Sequence, residues 1–296
     1  MSLIWRYIKR YRLILLLNVV GSFGFIFVEL GLPTMLAKLI DGAIAGVEQS
    51  FITRTIILML LFSVAGLLGR SLVAYTTSRL TTNMVAEMRN DMYKKIQTFS
   101  HEEFDKLGVS SLVTRVTNDA FILMQFGQMV LRLGLATLLM MFASFYMIFQ
   151  TSRELSVILI PAFPALLIFV LIIGKKSRPL SEAQQENLDN INLTLRESLT
   201  GLRVVRAFVR EKFQSSRFAI VNEAYSTVSR RLFYLMAWTQ PLFSHIINLI
   251  IIAIVFMGAP LIESGDLQIG NMVAYVEYSF HALYSFLNFA IVFMMY

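Results

Sequence analysis

The sequence predicts an all-α integral membrane protein, and three observations lead to this fold class. Of the 296 residues, 56% are hydrophobic and only 15% are charged, whereas a soluble domain carries roughly 25% charged residues. Uncharged runs recur at about the 20 residues that a helix needs to cross some 30 Å of hydrocarbon. The Lys and Arg residues concentrate between alternate runs. Composition therefore excludes a soluble enzyme.

Six apolar runs are long enough to be membrane spans. Only helices can cross a bilayer here without leaving backbone donors and acceptors unsatisfied. We expect spans at about residues 13–40, 52–77, 120–150, 155–174, 232–262 and 269–296.

The charge distribution predicts the orientation of these spans. Residues 1–12, 78–118 and 175–231 together hold 21 of the 26 Lys and Arg residues. By the positive-inside rule, these three segments are cytoplasmic. We therefore expect a multi-pass protein of the plasma membrane with a cytoplasmic N-terminus. The basic residues of these cytoplasmic segments also account for the net charge of +7, so the charge does not indicate nucleic-acid binding.

The first twelve residues differ from the spans. Trp5, Tyr7 and Tyr11 alternate with basic residues, a pattern typical of a helix that lies at the membrane interface with its rings at headgroup level. We expect an elbow helix over residues 1–12, followed by a six-helix domain over residues 13–296.

Both long cytoplasmic connections contain few Gly or Pro residues and are predicted to continue the spans as helices. In the first, Ser100 and Glu103 have capping-box spacing, and Gly108 can end the short helix that they begin. Ser110 or Ser111 can cap the returning helix. The second connection is expected to turn near residues 210–216.

Sequence motifs in these connections resemble a known family. The segment F-D-K-L-G-V-S-S-L-V-T-R-V-T-N-D (residues 104–119) looks like the first intracellular loop of ATP-binding cassette (ABC) exporters. The segment E-S-L-T-G-L-R-V-V-R-A-F-V-R-E (residues 197–211) and the stretch beginning at Gly258 also resemble that family. The matches are in register with all six spans.

The resemblance implies the type I ABC exporter fold, in which two such six-helix domains form one pore and exchange helices four and five. The two domains form a homodimer or a heterodimer. It also implies two coupling helices that dock on nucleotide-binding domains. Their residues are His101, Glu102, Glu103, Phe104, Asp105 and Lys106 in the first, and Arg210, Glu211, Lys212, Phe213 and Gln214 in the second.

The sequence lacks the phosphate-binding loop G-x-x-x-x-G-K-[ST], because its only Gly-Lys pair, Gly174-Lys175, has neither the earlier Gly nor the following Ser or Thr. We therefore expect no catalytic residues, enzymatic activity or cofactor in this chain, with ATP and Mg²⁺ on separate nucleotide-binding domains. The last residues continue an apolar helix, so we expect the membrane half of a longer polypeptide. The alternative is a protein whose ATPase is a separate chain.

Ionisable residues at membrane depth are candidates for a substrate pathway, because burying them in lipid is costly. The candidate cavity residues are Phe25, Glu29, Arg132, His245, Glu277, Tyr278 and His281. They could line a cavity for amphipathic or cationic substrates. Alternatively, Glu29 and Glu277 neutralise Arg70, Arg132 or a His inside the bundle. With three scattered His and no Cys, no metal site is expected.

Taken with the resemblance, the sequence predicts the permease domain of an ATP-driven exporter of amphipathic drugs, lipids or peptides. The alternative is an ion-coupled secondary carrier that uses Glu29 and Glu277 as proton sites. Such carriers rarely need long cytoplasmic extensions, and short broken span pairs are not evident.

Overall fold

A computed structural model describes residue 7 and residues 9–294, with side chains described up to residue 289. In this part of the chain every regular element is helical. The elements are a 3₁₀ turn (Lys9–Tyr11), α1 (Arg12–Ile44), α2 (Gln49–Ile96), α3 (His101–Leu107), α4 (Val109–Thr151), α5 (Arg153–Thr200), α6 (Leu202–Ala207), α7 (Glu211–Glu263) and α8 (Ile269–Met294). The helix α4 contains two π-helical segments, Arg115–Asp119 and Val130–Gly134.

Five helices in the described part of the chain are long and apolar enough to cross a membrane, and they are α1, α2, α4, α5 and α7. They confirm five of the six predicted spans. The sixth, α8, has 26 residues, or about 39 Å at 1.5 Å per residue. Polar residues including Glu277, His281 and Asn288 lower its hydropathy, so as a span it stays a prediction. Residues 295 and 296 lie outside the described residues.

The helices are longer than a bilayer requires. The helix α2 has 48 residues, or about 72 Å, against roughly 30 Å of hydrocarbon. The helices α5 and α7 have 48 and 53 residues. The spans in α2, α4, α5 and α7 therefore continue as helix well beyond their apolar runs, as the sequence predicts for both long connections.

The chain divides into two compact units. The first comprises Met1–Ile160 and Ile251–Tyr296, and the second comprises Pro161–Ile250. In the first unit, small residues bring α1 and α2 together. A Cβ atom added to Gly66 would lie 2.8 Å from a Val28 methyl carbon, and one added to Gly21 would lie 3.0 Å from the Gly69 carbonyl oxygen. Close backbone approach of this kind is a common way to pack membrane helices.

The second unit is built from α6 and parts of α5 and α7. Between these long helices, the Gln184 amide donates to the Ser229 hydroxyl at 2.9 Å. An ion pair joins Arg217 to Glu197 at 2.7 Å. These contacts join the two helices along their polar segments.

The turn between α2 and α4 forms largely as predicted. Ser100 accepts from the Glu103 backbone N–H, and Glu103 accepts from the Ser100 backbone N–H, which completes the capping box. Gly108, at φ +73°, ends α3. The expectation that Ser110 or Ser111 caps the returning helix is wrong, because α4 begins directly after Gly108 without a side-chain cap.

The second turn differs from the prediction. The separate short helix of this turn is α6, whereas residues 211–214 form the first turn of the long helix α7. Arg210–Gln214 is therefore not a short helix of its own. Val209 has a φ of 50°, and its left-handed conformation interrupts the chain between α6 and α7.

Most of the predicted elbow, residues 1–6 and 8, lies outside the described residues. Its described part is held by acidic residues of α2: the Tyr7 hydroxyl donates to Asp91 at 2.8 Å and the Tyr11 hydroxyl donates to Glu87 at 2.5 Å. Tyr7 is buried against Met84 and its neighbours. The Tyr7 ring therefore packs against the protein, and its position at headgroup level stays a prediction.

Candidate pathway residues and turns

Polar contacts join α1 and α8 at three successive levels. The Gly270 N–H donates to an Asp41 carboxylate oxygen at 2.7 Å. The hydroxyls of Thr34 and Tyr278 are hydrogen-bonded at 2.6 Å. Deeper along the pair, the His281 imidazole lies 3.9 Å from the Glu29 carboxylate. The two helices therefore run antiparallel with polar groups facing each other along their shared interface.

Two of the candidate cavity residues are thus brought together, one is buried, and one is stacked against an arginine. Glu29 and His281 form the pair just described, and both side chains remain partly exposed. Tyr278 is only 2% exposed, because its ring packs inside the bundle, so the expectation that it lines a cavity is wrong for this structure. Phe25 is covered by the guanidinium of Arg70, whose central carbon lies 4.8 Å from the ring centroid.

The remaining candidates are exposed. Glu277 is more exposed than His281, which lies one turn further along α8. Arg132 is exposed and lies in the π-helical segment Val130–Gly134. His245 is exposed on α7, in the second unit. Of the alternative in which these acids neutralise Arg70, Arg132 or a His inside the bundle, the structure shows the contact with a His, since Glu29 lies beside His281. Among the described residues, neither acid forms an ion pair with Arg70 or Arg132.

The short helix α3 has an acidic surface. His101, Glu102, Glu103, Asp105 and Lys106 are exposed, whereas Phe104 is half-buried. The hydrogen bond from the Ser100 backbone N–H lowers the pKa of Glu103 below its ordinary value, and the Ser100 hydroxyl adds to this effect. A carboxylate that accepts hydrogen bonds favours its charged form.

Phe104 closes an apolar cavity of about 270 Å³ between α3 and the adjoining ends of α2 and α4. The cavity is lined by Tyr93, Ile96, Phe104, Val109, Leu112, Val113, Val116 and Thr117. Next to it, the Arg89 guanidinium of α2 donates to the Thr117 carbonyl oxygen at 3.2 Å. Phe104 thus connects α3 to both long helices of its turn, and the Arg89–Thr117 hydrogen bond joins those two helices to each other.

The turn between α6 and α7 has a different surface. Its charges are mainly basic, and they include Arg203, Arg206, Arg210 and Lys212, with Glu211 as the acidic exception. Its large apolar side chains are also exposed, with Phe208 at 73% and Val209 at 80%. Gln214 is half-buried. Basic and apolar groups that are exposed together are typical of a surface that contacts another protein.

Three features of the first unit are not predicted by the sequence. Asp41 lies one residue beyond the predicted span 13–40, and nothing in the sequence placed it beside Gly270. Asn18 is fully buried, and its amide donates to the Thr76 and Thr77 hydroxyls. The π-helical segments have no recognised sequence signal. Within the described residues, no three His, Asp or Glu side chains group as a metal site.

Residues 14–286 match the family model of the ABC transporter transmembrane region. The chain belongs to this family. It is the membrane domain of an ABC transporter and has the all-α fold of that domain, which gives it a permease role in a multi-pass membrane protein.

Relatives of this ABC transmembrane domain agree with the assignment. An uncharacterized ABC transporter ATP-binding protein of Mycobacterium tuberculosis is 28% identical over 282 residues, which cover 94% of this chain and 48% of the relative. The uncharacterized ABC transporter ATP-binding protein YfiB of Bacillus subtilis is 26% identical over 273 residues, which cover 92% of this chain and 48% of the relative. The chain spans about half the length of these relatives.

Proposed function

We propose that this chain is the permease domain of an ATP-driven exporter of amphipathic drugs, lipids or peptides. In this proposal it forms half of an alternating-access pore with a second six-helix domain, which is either a second copy or a related chain. The main support is the pair of cytoplasmic turns, α3 and the α6–α7 turn, at the ends of helices far longer than the bilayer. A transporter driven only by an ion gradient needs no such extensions.

ATP and Mg²⁺ act on nucleotide-binding domains in this proposal, and the chain itself hydrolyses nothing. The turns lie in the cytoplasm, as does the N-terminus, and the protein resides in the plasma membrane. ATP binding draws the nucleotide-binding domains together, and the turns pass that movement into the spans. This requires firm attachment of each turn. At the first turn, Phe104 packs α3 against the ends of α2 and α4, and the Arg89–Thr117 hydrogen bond joins those two helices to each other.

The two turns fit a docking role through their surfaces. Acidic side chains dominate α3, whereas basic and apolar side chains dominate the α6–α7 turn. We therefore propose that they contact different patches of the nucleotide-binding domains. The residues proposed for docking remain His101 to Lys106 and Arg210 to Gln214, with Phe208 and Val209 added because of their exposure.

One observation favours the alternative of an ion-coupled carrier, namely the Glu29–His281 pair at 3.9 Å, since such pairs occur in proton relays. Transport in inside-out vesicles discriminates between the two. The transporter, with its nucleotide-binding domains, should accumulate an amphipathic dye only when ATP and Mg²⁺ are supplied, and a proton ionophore should not stop it. Uptake driven by an imposed proton gradient without ATP would reject the exporter proposal.

A further inference from the structure

Two arginines in the predicted spans have no ion-pair partner among the residues that the structure describes. Arg70 lies in α2 within the span at residues 52–77, and Arg132 lies in α4 within the span at residues 120–150. Both side chains are exposed. In the described part of the chain, no carboxylate oxygen lies within 4.0 Å of either guanidinium.

The candidate acids of the first unit do not neutralise these arginines. Glu29 pairs with His281, and the exposed Glu277 carboxylate interacts electrostatically with the same imidazole. An isolated charge in hydrocarbon costs several kcal/mol, so such residues usually face water, a partner or a transported group. Two unpaired guanidiniums therefore indicate a site that receives negative charge from outside the chain.

The backbone around Arg132 is unusual in a way that supports this interpretation. In the segment Val130–Gly134, the Leu135 N–H donates to the Val130 carbonyl five residues earlier. This π-helical spacing is rare, and it occurs frequently at functional sites. The wider turn changes the direction of the Arg132 side chain relative to the α-helix on either side.

The two arginines lie at neighbouring depths. A Cβ atom on Gly127 would lie 3.3 Å from a methyl carbon of Thr81, and Arg89 contacts Thr117, so α2 and α4 run antiparallel. Counting along each helix from the Gly127–Thr81 contact places Arg70 and Arg132 about six residues apart in depth, which corresponds to about 9 Å. Two extended arginine side chains can reach one headgroup across that difference in depth.

The aromatic surface nearest Arg70 already holds a cation. The Arg70 guanidinium lies over the Phe25 ring at 4.8 Å, a cation–π arrangement. A cationic ligand would have to displace Arg70 from that ring and would meet two like charges. An anionic ligand would instead find two unpaired donors, each able to make charge-assisted and bidentate hydrogen bonds.

We propose that Arg70 and Arg132 recognise the phosphate, sulfate or carboxylate headgroup of an anionic amphiphile. Its apolar tail lies against the apolar surfaces of α2 and α4. This replaces the sequence-based expectation of a site for cationic substrates. The anion-site proposal rests on the proposed function in one respect, namely that the amphiphile is the transported substrate. Binding of the amphiphile itself needs no ATP.

Equilibrium binding of radiolabelled dodecyl phosphate tests the proposal. The transporter, with its nucleotide-binding domains, is placed in phosphatidylcholine nanodiscs without nucleotide. Arg70→Gln and Arg132→Gln should each weaken binding about 10-fold or more, the usual loss for a hydrogen bond between charged groups. Arg79→Gln is the matched control, since Arg79 is on α2 and has its own aromatic partner in Tyr75. It should bind like the native protein.

A second probe tests the charge preference. Dodecyltrimethylammonium has the same chain with a cationic headgroup, and it should bind the native protein more weakly than dodecyl phosphate. Tighter binding of the cation, or unchanged dodecyl phosphate binding in both Gln variants, would overturn the proposal. If the Gln variants do not fold, Arg70→Lys and Arg132→Lys keep the charge and should still weaken dodecyl phosphate binding through loss of the bidentate geometry. Unchanged binding in both Lys variants would overturn it equally.

Competition identifies the source of the anion. Phosphatidylglycerol added to the nanodiscs displaces dodecyl phosphate if the site holds a bilayer lipid, and leaves it bound if the site selects another amphiphile. Failure of the two proposals remains distinguishable. ATP-driven dye transport without arginine-dependent binding rejects only the anion site, whereas arginine-dependent binding without ATP-driven transport rejects only the exporter function.

Discussion

The two turns that connect the long helices are built in opposite ways. In the first, α3 is fixed by a capping box at Ser100 and ended by Gly108, the residue type that its positive φ requires. In the second, α6 has no side-chain cap, and the β-branched Val209 adopts a positive φ while its side chain is 80% exposed. The first turn is therefore stabilised by its own residues. The second holds local strain, which is typical of sites whose structure serves a function.

The largest expected effect comes from the glycine of the first turn. Gly108 has φ 73° and ψ 145°, a region that is open almost only to glycine, so Gly108→Ala should cost about 1–3 kcal/mol of local stability. Gly201→Ala is the control in the second connection, because Gly201 has an ordinary φ of −88°. Hydrogen exchange of the amides around each turn measures the loss of local stability in the two variants. Equal loss of amide protection at the two sites would contradict the claim that only Gly108 has a backbone conformation that requires glycine.

A substitution at Val209 should raise the local stability of its turn, whereas Gly108→Ala lowers that of the first turn. Replacing it with glycine removes the left-handed strain, and Val209→Gly should stabilise the α6–α7 turn by about 1 kcal/mol. Val204→Gly is the matched control, because Val204 is an exposed residue within α6 and should lose about 0.5 kcal/mol or more as an ordinary helical position. Hydrogen exchange at residues 202–214 reports the sign. A destabilising Val209→Gly would show that the turn is not strained.

The capping box predicts a moderate effect at the start of α3. Ser100→Ala removes the acceptor for the Glu103 N–H and should reduce the stability of α3 by about 1 kcal/mol. Ser110→Ala should change little, since Ser110 caps no helix. Amide exchange over residues 101–107 compares the two variants. Similar effects of both would indicate that the box does not hold α3 in place.

The smallest expected effect is a pH dependence confined to the first turn. The folded-state pKa of Glu103 is lowered by the Ser100 N–H, so its stabilising effect is full above its ordinary value of 4.5 and is lost as the pH falls through the lower folded value. Protection of α3 should decline below pH 4.5 in the native protein and stay flat in Glu103→Gln. The variant Glu102→Gln should retain the native decline. If protection of α3 in the native protein does not change with pH, the stabilising role assigned to the Glu103 carboxylate is contradicted.

The sequence predicts local features well and distant contacts poorly. The capping box and Gly108 were predicted because their determinants lie within a few residues of one another. The helix break at Val209 was placed wrongly, because strain at a non-glycine residue depends on the surrounding fold. Glu29 and His281 are far apart in sequence, so their pairing, like the burial of Tyr278, follows from how α1 packs on α8. Composition alone could not show which ionisable groups meet.

The most direct test of the account is chemical crosslinking from the two turns. The chain contains no cysteine, so one introduced thiol is unique within it. With the nucleotide-binding domains present, Lys106→Cys in α3 and Lys212→Cys in α7 should each crosslink to those domains through a short bifunctional reagent. Ser264→Cys, in the exposed turn between α7 and α8, should not. Crosslinks from Ser264→Cys alone would contradict the claim that the two turns join this membrane domain to its ATPase.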